Sequence, residues 1–351
     1  MSIANLKRQN ARGVYPSLLD RQELRRQQYG FIDVALRNTD GILSSLNQQT
    51  IMNSWGAPAT EIPVFDKTVS AATVGTMTCS FPTKDSDAQL VTVTYYKANT
   101  GFRIIPRLTD QSDIVTEAQD FMHLFSEAEE SLANALEAYI RLQIDNAKSQ
   151  AYGSAFVGAG LRYPLAGDAL QVATTEQDYF FNDMKSVMFA DDFPTNGLDV
   201  IGDAQLPSFV NRYVNQGSGN SENQAFQFNG YSFTYSNSTT TTAGSVSTGY
   251  VMPSGSVGMV AKVSPDAMNN RVSQSEGIRW SVEQSDLMGI PMELMVKDDC
   301  ADVSAITGNA EDTNALIKQY QMGINVAVVT PFVSGALATT PVGIKKFDFL
   351  P

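Results

Sequence analysis

From Asp110 to Tyr152 the chain contains neither proline nor glycine, and Gly153 follows at once. Apolar or small residues recur through this stretch at Ile114, Ala118, Phe121, Phe125, Ala128, Leu132, Ala135, Tyr139 and Leu142, in alternating steps of four and three. That spacing places one stripe along a helix, widened by Val115, Met122 and Leu136. Asp110 or Ser112 can cap its start, and Gly153 sits where a helix would stop. At 1.5 Å per residue the pattern predicts a helix of ~55 Å, about three times the usual length. A sustained seven-residue repeat suits a coiled coil. The alternation of Ala128 and Ala135 with bulky Phe121 and Phe125 suits a single long helix on a sheet equally well. The spine core is therefore Ile114, Phe121, Phe125, Leu132 and Tyr139.

Upstream the pattern changes to period two. Thr68–Phe81 is rich in Thr, Val and Ala, while Gln89–Tyr96 sets Val91, Val93 and Tyr95 on one face against Thr92, Thr94 and Tyr96. Pro82-Thr83-Lys84-Asp85-Ser86-Asp87 between them is turn chemistry, and the second run continues through Gly101 toward Pro106. The two runs predict a hairpin ~40 Å long. A two-stranded ribbon of that length is barely stable alone in water, so it must lie on its own body or on a neighbour. Ahead of it, residues 1–37 hold Lys7, Arg8, Arg12, Arg21, Arg25, Arg26 and Arg37 against Asp20, Glu23 and Asp33, a net +4 in a chain of formal charge −13. The remainder carries −17. Such asymmetry suggests an arm whose partner is nucleic acid or an acidic protein surface, unless it is simply a solvated tail.

Beyond Gly158, Gly, Ser and Asn become frequent and apolar runs shorten. Val187–Phe189, Leu198–Ile201 and Phe209–Val214 read as strands or short helices, and Phe226–Ser236 as a hairpin about Asn229-Gly230. Ser238–Ser247 reads as a flexible or edge segment, Tyr250–Val263 as two strands joined by Pro253-Ser254-Gly255-Ser256, and Met292–Val296 as a strand. Ala310–Met322 reads as a short helix, and Ile324–Val333 and Ile344–Leu350 as strands. The fold class is α+β: a basic arm, a long hairpin, one very long helix, a mixed domain and a returning strand.

Composition narrows the function. With 351 residues and 43% apolar, the chain has material for about two domain-sized cores. An acidic balance argues against a surface that grips nucleic acid throughout. Cys79 and Cys300 have no metal-ligand or redox spacing, and the single histidine, His123, removes most His-based catalytic designs. No phosphate-binding loop, dinucleotide fingerprint, zinc-protease motif or serine-hydrolase elbow occurs in the sequence. The acidic pairs Asp191-Asp192, Asp298-Asp299 with Asp302, and Glu129-Glu130 could bind a cation or work as acid and base, but read as solvated turn charges. His123 reads as packed or flanking on the helix, and Trp55 and Trp280 as core or interface anchors. No apolar leader opens the chain, and Gly323–Ala338 is broken by Pro331 and Gly335, so the expectation is a soluble, intracellular protein without catalytic, metal or cofactor site. The Asn237-Ser238-Thr239 sequon reads as chance.

The order of elements resembles the major capsid proteins of tailed bacteriophages, the Hong Kong 97-type coat fold shared with encapsulin shells. Val187–Phe193 leading into Asp199–Asp203, Val251–Gly258, and Ile290–Glu293 before Asp298–Cys300 are similar in wording to that family. The resemblance spans nearly the whole chain and implies an N-terminal arm at 1–55, an extended loop at 56–106, and a peripheral domain with spine helix at 107–164. It further implies an axial domain at 165–321 and a strand at 322–351 returning to the peripheral domain. Lys67, Val69, Lys84, Val91, Val93 and Tyr95 would then meet neighbouring subunits. Some members join a loop lysine covalently to a neighbour's asparagine; Lys67 and Lys84 lie in the corresponding region, without further sign of that chemistry. The implied function is a shell of pentamers and hexamers enclosing double-stranded DNA without sequence-specific binding. Portal, scaffold and decoration proteins would be its partners. A long N-terminal scaffolding extension is not matched, which implies either a separate scaffold or a processed chain, with the initiating Met1 favouring the former. The implied location is the virion, assembled in the host bacterial cytoplasm. An encapsulin-like compartment is the alternative within the fold. A β-rich adhesin or tail-fibre module is the alternative outside it, and a hydrolase on Asp191 and Asp192 comes last.

Overall fold

A computed structural model describes residues 28–54, 57, 59–65, 88–105, 117–216, 230–307, 310, 312–332 and 336–351. Helix α1 (Gly30–Ile42) and helix α2 (Ser45–Asn53), the latter capped by the Ser44 hydroxyl accepting from Asn47 N, lead into strand β1 (Ala59–Phe65) and the long strand β2 (Ala88–Ile104). Helix α3 follows (Glu117–Ala147). Then come β3 (Leu165–Ala166), β4 (Ala169–Val172), α4 (Phe180–Ala190), β5 (Leu198–Gly202), α5 (Leu206–Gln216), β6 (Tyr231–Tyr235) and β7 (Ser247–Pro253). The chain continues as β8 (Gly258–Ala261), α6 (Pro265–Met268), β9 (Val272–Ser273), β10 (Ile278–Gln284), β11 (Pro291–Ala301), α7 (Ser304–Thr307), β12 (Ala315–Val329) and β13 (Lys345–Phe349).

Two sheets organise these elements. The first is antiparallel throughout, ordered β1-β2-β12-β11-β10-β9, with β8 paired to the end of β12. The second is mixed, ordered β3-β4-β13-β7-β5-β6, with β4–β13 and β5–β6 parallel. Strands β7 and β8 flank the Pro253–Ser256 corner but belong to different sheets, so this turn carries the chain from one sheet to the other. At the corner Gly255 has φ +88°, and a Cβ on Gly41 would lie 2.8 Å from the Gly255 Cα, so α1 and the corner approach as closely as two bare backbones allow.

Helix α3 packs against the first sheet. Phe121, Phe125, Leu132, Leu136, Ile140 and Ile144 face Ile104 of β2, Met322, Ile324 and Val326 of β12, and Met292 and Leu294 of β11. Tyr139 stacks on Tyr96 of β2 with centroids 4.1 Å apart. The buried line moves through Ala128, Leu132, Leu136, Ile140 and Ile144, whereas Leu142 is 48% exposed. A strict heptad seam would have kept Leu142 inside; a straight helix at 3.6 residues per turn drifts ~20° per heptad away from it. The helix is therefore a rod on a sheet, not a coiled-coil strand. Residues 106–116, which include Ile114 and the expected caps, lie outside the described residues.

The second sheet is covered on both faces. Val200 and Val251 join Phe180, Phe181, Met184, Val187, Met188, Phe347 and Phe349 on the α4 side. Ile201, Tyr250 and Met252 look the other way, into the cluster of α1 and α3. Strand β7 is accordingly buried at every position.

One expectation is corrected. Ala310–Met322 is not a helix: Ala315 onward forms β12, registered with Ala301–Glu293 of β11 on one side and Ile104–Tyr95 of β2 on the other. Helix-favouring residues here yield to two flanking strands. Within 322–351, β12 lies in the sheet beside α3 and β13 in the second sheet between β4 and β7. Within 165–321, β8–β11 lie in the first sheet. The expected first arm of the hairpin, Thr68–Phe81, lies outside the described residues; within them Ala88–Thr94 of β2 pairs with Ala59–Phe65. The segment 226–229 also lies outside them, and β6 after Gly230 pairs in parallel with β5.

Candidate interaction surface

The acidic pairs do not converge. Asp191, expected as a solvated turn charge, is buried and ion-paired to Lys345, while its neighbour Asp192 is exposed with φ +64°. Both partners arrive from afar: Asp191 ends α4, and Lys345 opens β13. Asp298 pairs with Arg279 and Asp299 with Lys297, on opposite faces of β11 as alternation requires. Asp302 accepts from Ser304 N at 2.9 Å. Glu129 is buried and accepts from Ser285 Oγ and Asp286 N, fastening the β10–β11 turn to α3. His123 is exposed beside Glu127 at 3.4 Å. Among the described residues no group of three or more His, Cys, Asp or Glu could hold a metal ion, and no helix is long and apolar enough to cross a membrane.

The described residues instead present a ribbon and a sheet face that none of them covers. Strand β2 switches its buried side midway. Val91, Val93 and Tyr95 turn toward Leu43, Ile51, Ile62, Val260 and Ala327, whereas farther along Tyr96, Ala98, Phe102 and Ile104 turn toward α3. The side expected to meet a neighbour through Val91, Val93 and Tyr95 is thus occupied within the chain, because α2 folds back over it. Tyr95 is fixed there by hydrogen bonds to Ser54, to Thr60 Oγ1 and to Ile51 O. The opposite side of this ribbon exposes Leu90 by 67%. Lys67, Val69 and Lys84 lie outside the described residues, as do Lys7, Arg8, Arg12, Arg21, Arg25 and Arg26 of the basic arm, and Trp55 and Cys79. Trp280 is half-buried on β10, and Cys300 is exposed on β11.

Where the cover of α2 ends, no described residue covers the side of the first sheet away from α3. Lys97, Asn99 and Gly101 of β2 face Asn325, Gly323 and Gln321 of β12, which in turn face Glu293 and Met295 of β11. A pocket of about 330 Å³ lies here. Lys262 borders it; its ammonium donates to Ser54 O and Ala57 O at 2.7 and 3.2 Å and sits 3.5 Å from the Tyr95 ring centroid. Burial holds this lysine below the usual range, with the like charge of Lys97 adding to the effect and Glu293 opposing it. Glu293 accepts from Ser264 N and Oγ at 2.6 and 3.0 Å. Asn325 Oδ1 is buried and has no hydrogen-bond partner. The polar alternation Lys97-Asn99-Gly101 was the available sequence sign of an uncovered face; the pocket itself needed the strand register.

No protein-family model matches the chain, and no curated protein matches its sequence. Solved structures do resemble its fold. One from Mycobacterium phage Adephagia is 14% identical, with 99% of this chain and 98% of that one covered at a TM-score of 0.48. One from Mycobacterium phage Che8 is 10% identical over 92% of each chain at a TM-score of 0.49. The capsid of Myoviridae phage XM1 is 10% identical, over 88% of this chain and 90% of that one, at a TM-score of 0.42. The fold neighbours are thus phage proteins, capsids among them, at identities too low to transfer the role of any residue.

Proposed function

We propose that this chain is the major coat protein of a tailed phage, assembling into pentamers and hexamers of a closed shell around double-stranded DNA. The observation that carries this reading is the construction about β2. One strand of 17 residues runs from a two-stranded ribbon with β1 into a long antiparallel sheet, where it pairs with β12. That sheet is covered by a 31-residue helix on one side and, among the described residues, is covered only in part on the other, by α2. A ribbon with an exposed edge and an uncovered sheet face are costly in an isolated monomer and useful in an assembly, where neighbours cover them. In this reading the first sheet with α3 is the peripheral domain and the second sheet with α4 and α5 the axial domain. The arm and the ribbon reach neighbouring subunits, and the role is structural, not catalytic. Portal, scaffold and decoration proteins are the expected further partners, and the virion is the expected location.

The acidic body suits such a shell, since a lining of net negative charge confines DNA without adhering to it. The test is negative-stain imaging of the purified chain, expressed alone and with its neighbouring genes. Closed icosahedral shells or five- and six-membered rings are expected. A chain that stays monomeric under all conditions overturns the reading, and small shells filled with protein would indicate a compartment instead.

A further inference from the structure

Strand β2 changes its partner and its buried side at one place. From Ala88 to Thr94 it pairs with β1, and from Tyr95 to Ile104 it pairs with β12. Val91, Val93 and Tyr95 turn toward the cluster of α2, whereas Tyr96 and the alternate residues after it turn toward α3. Neither ladder crosses the exchange, so backbone pairing alone does not fix the angle between the two halves of the strand. Lys262 stands at this exchange. It is buried, it follows β8, and its own N–H donates to Asn325 O of β12 at 2.9 Å. Its ammonium donates to Ser54 O, just past α2, and to Ala57 O, on the way into β1, and it lies over the Tyr95 ring. The hydroxyl of that same ring donates to Ile51 O of α2 and hydrogen-bonds Ser54 Oγ and Thr60 Oγ1 of β1. Glu293, the nearby carboxylate, is held by Ser264 N and Oγ. The ammonium is thus directed at backbone carbonyls and a ring, contacts that fix the course of the chain.

We propose that Lys262 is a positioning residue, a latch that sets the pitch of the β1–β2 ribbon against the body of the first sheet. Leu43, Ile51, Ile62 and Val93 bind α2 and the ribbon into one unit, which rests on Val260 of β8 and Ala327 of β12. Apolar contacts of that kind hold surfaces together without fixing a direction. Hydrogen bonds are directional, and those of an ammonium to the carbonyls at a helix end are among the stronger ones. The ring beneath a desolvated ammonium adds to the grip. Such a latch is a property of the single chain, beyond the coat-protein reading, and it can fail without that reading failing.

Hydrogen exchange read by mass spectrometry tests it on the unassembled full-length chain, with sedimentation velocity showing that all samples are in the same state and circular dichroism verifying the fold. Peptides from the ribbon, 59–65 and 88–94, are compared with peptides from the body of the same sheet, 97–104 and 318–326. Lys262→Met keeps the apolar stem and removes the charge. It is expected to speed exchange in the ribbon by about tenfold or more and to leave the body unchanged, because only the local opening becomes easier. Lys262→Arg, which keeps a cation, is expected to stay close to wild type. If Lys262→Met does not fold, Tyr95→Phe decides by the same regional pattern, since it keeps the ring and removes the bonds to Ser54, Thr60 and Ile51. Ribbon exchange that is equal in variant and wild type, or a rise spread evenly over ribbon and body, overturns the latch and leaves the coat reading standing. Lys262→Arg that loosens the ribbon as much as Lys262→Met overturns it too, as do wild-type ribbon amides that exchange as fast as a free peptide.

Discussion

Lys345 carries its charge into the interior, where its side chain and that of Asp191 are both 0% exposed. The ammonium also lies 3.4 Å from Ser149 Oγ and 4.5 Å from the Tyr152 ring centroid. Burial holds the Lys345 pKa below its usual value, opposed by the hydrogen bond and charge of Asp191. Asp191 further accepts from Gly153 N at 2.6 Å, so the pair ties three distant segments together. Such a pair contributes little net stability but is costly to halve. Lys345→Met is expected to destabilise the fold by about 3–5 kcal/mol, since it leaves a buried carboxylate unpaired. Adding Asp191→Leu should recover part of that loss. Urea midpoints for the two single variants and the double variant check this; strict additivity would show that the two groups do not interact. In sequence, Asp191 was indistinguishable from the exposed Asp192 beside it, because the partner lies 154 positions away.

At the scale of elements, the N-terminus of α1 meets the middle of α3. Tyr29 offers α1 no side-chain cap. Glu137 of α3 supplies one, its carboxylate accepting from Phe31 N at 3.0 Å, Ile32 N at 2.9 Å and Ser236 Oγ at 2.5 Å. A carboxylate suits the positive end of a helix dipole, and here it also ties α1 to the loop after β6. Burial raises the Glu137 pKa above the usual carboxylate range; the three hydrogen bonds oppose that shift, and the charge of Asp33 reinforces it. The folded-state value thus lies above the unfolded one. This group's contribution is full below the unfolded pKa and is lost as pH rises through the folded pKa. Glu137→Gln is expected to cost about 1–3 kcal/mol, because the amide nitrogen cannot accept what a carboxylate oxygen accepted. It is also expected to flatten the decline of stability above pH ~4.5. Urea titrations at a series of pH values read both effects, and parallel curves for variant and wild type would count against the assignment. The long helix itself was legible because its signal is local: no breaker, and an apolar residue every third or fourth place. Which turn of it faced inward was not, since a repeat of 3.5 and one of 3.6 separate only over several turns. Tyr139 remained in contact, through Tyr96, while Leu142 left for solvent.

Over the whole molecule, charge and architecture divide the labour. The excess of positive charge is confined to the first 37 residues, and the body is acidic. In the proposed shell around DNA this leaves the basic N-terminal residues to make local contact and a lining that does not adhere. Deleting Met1–Arg26 is expected to impair assembly or DNA retention, as read by imaging and by the nucleic-acid content of purified particles. Normal particles with normal DNA content would sink the role of the arm. The sequence by itself determined the long helix, the course of β2 as far as Ile104, the polar texture of 158–260 and the segregation of charge. Each of these is written in residues near one another, where period and composition act directly. Only the tertiary structure decided that 315–322 is strand, that β13 lies between β4 and β7 in the second sheet, and that the Pro253–Ser256 corner joins two sheets. Those outcomes depend on partners scores of positions away, and a strand has no buried face until its neighbours are in place.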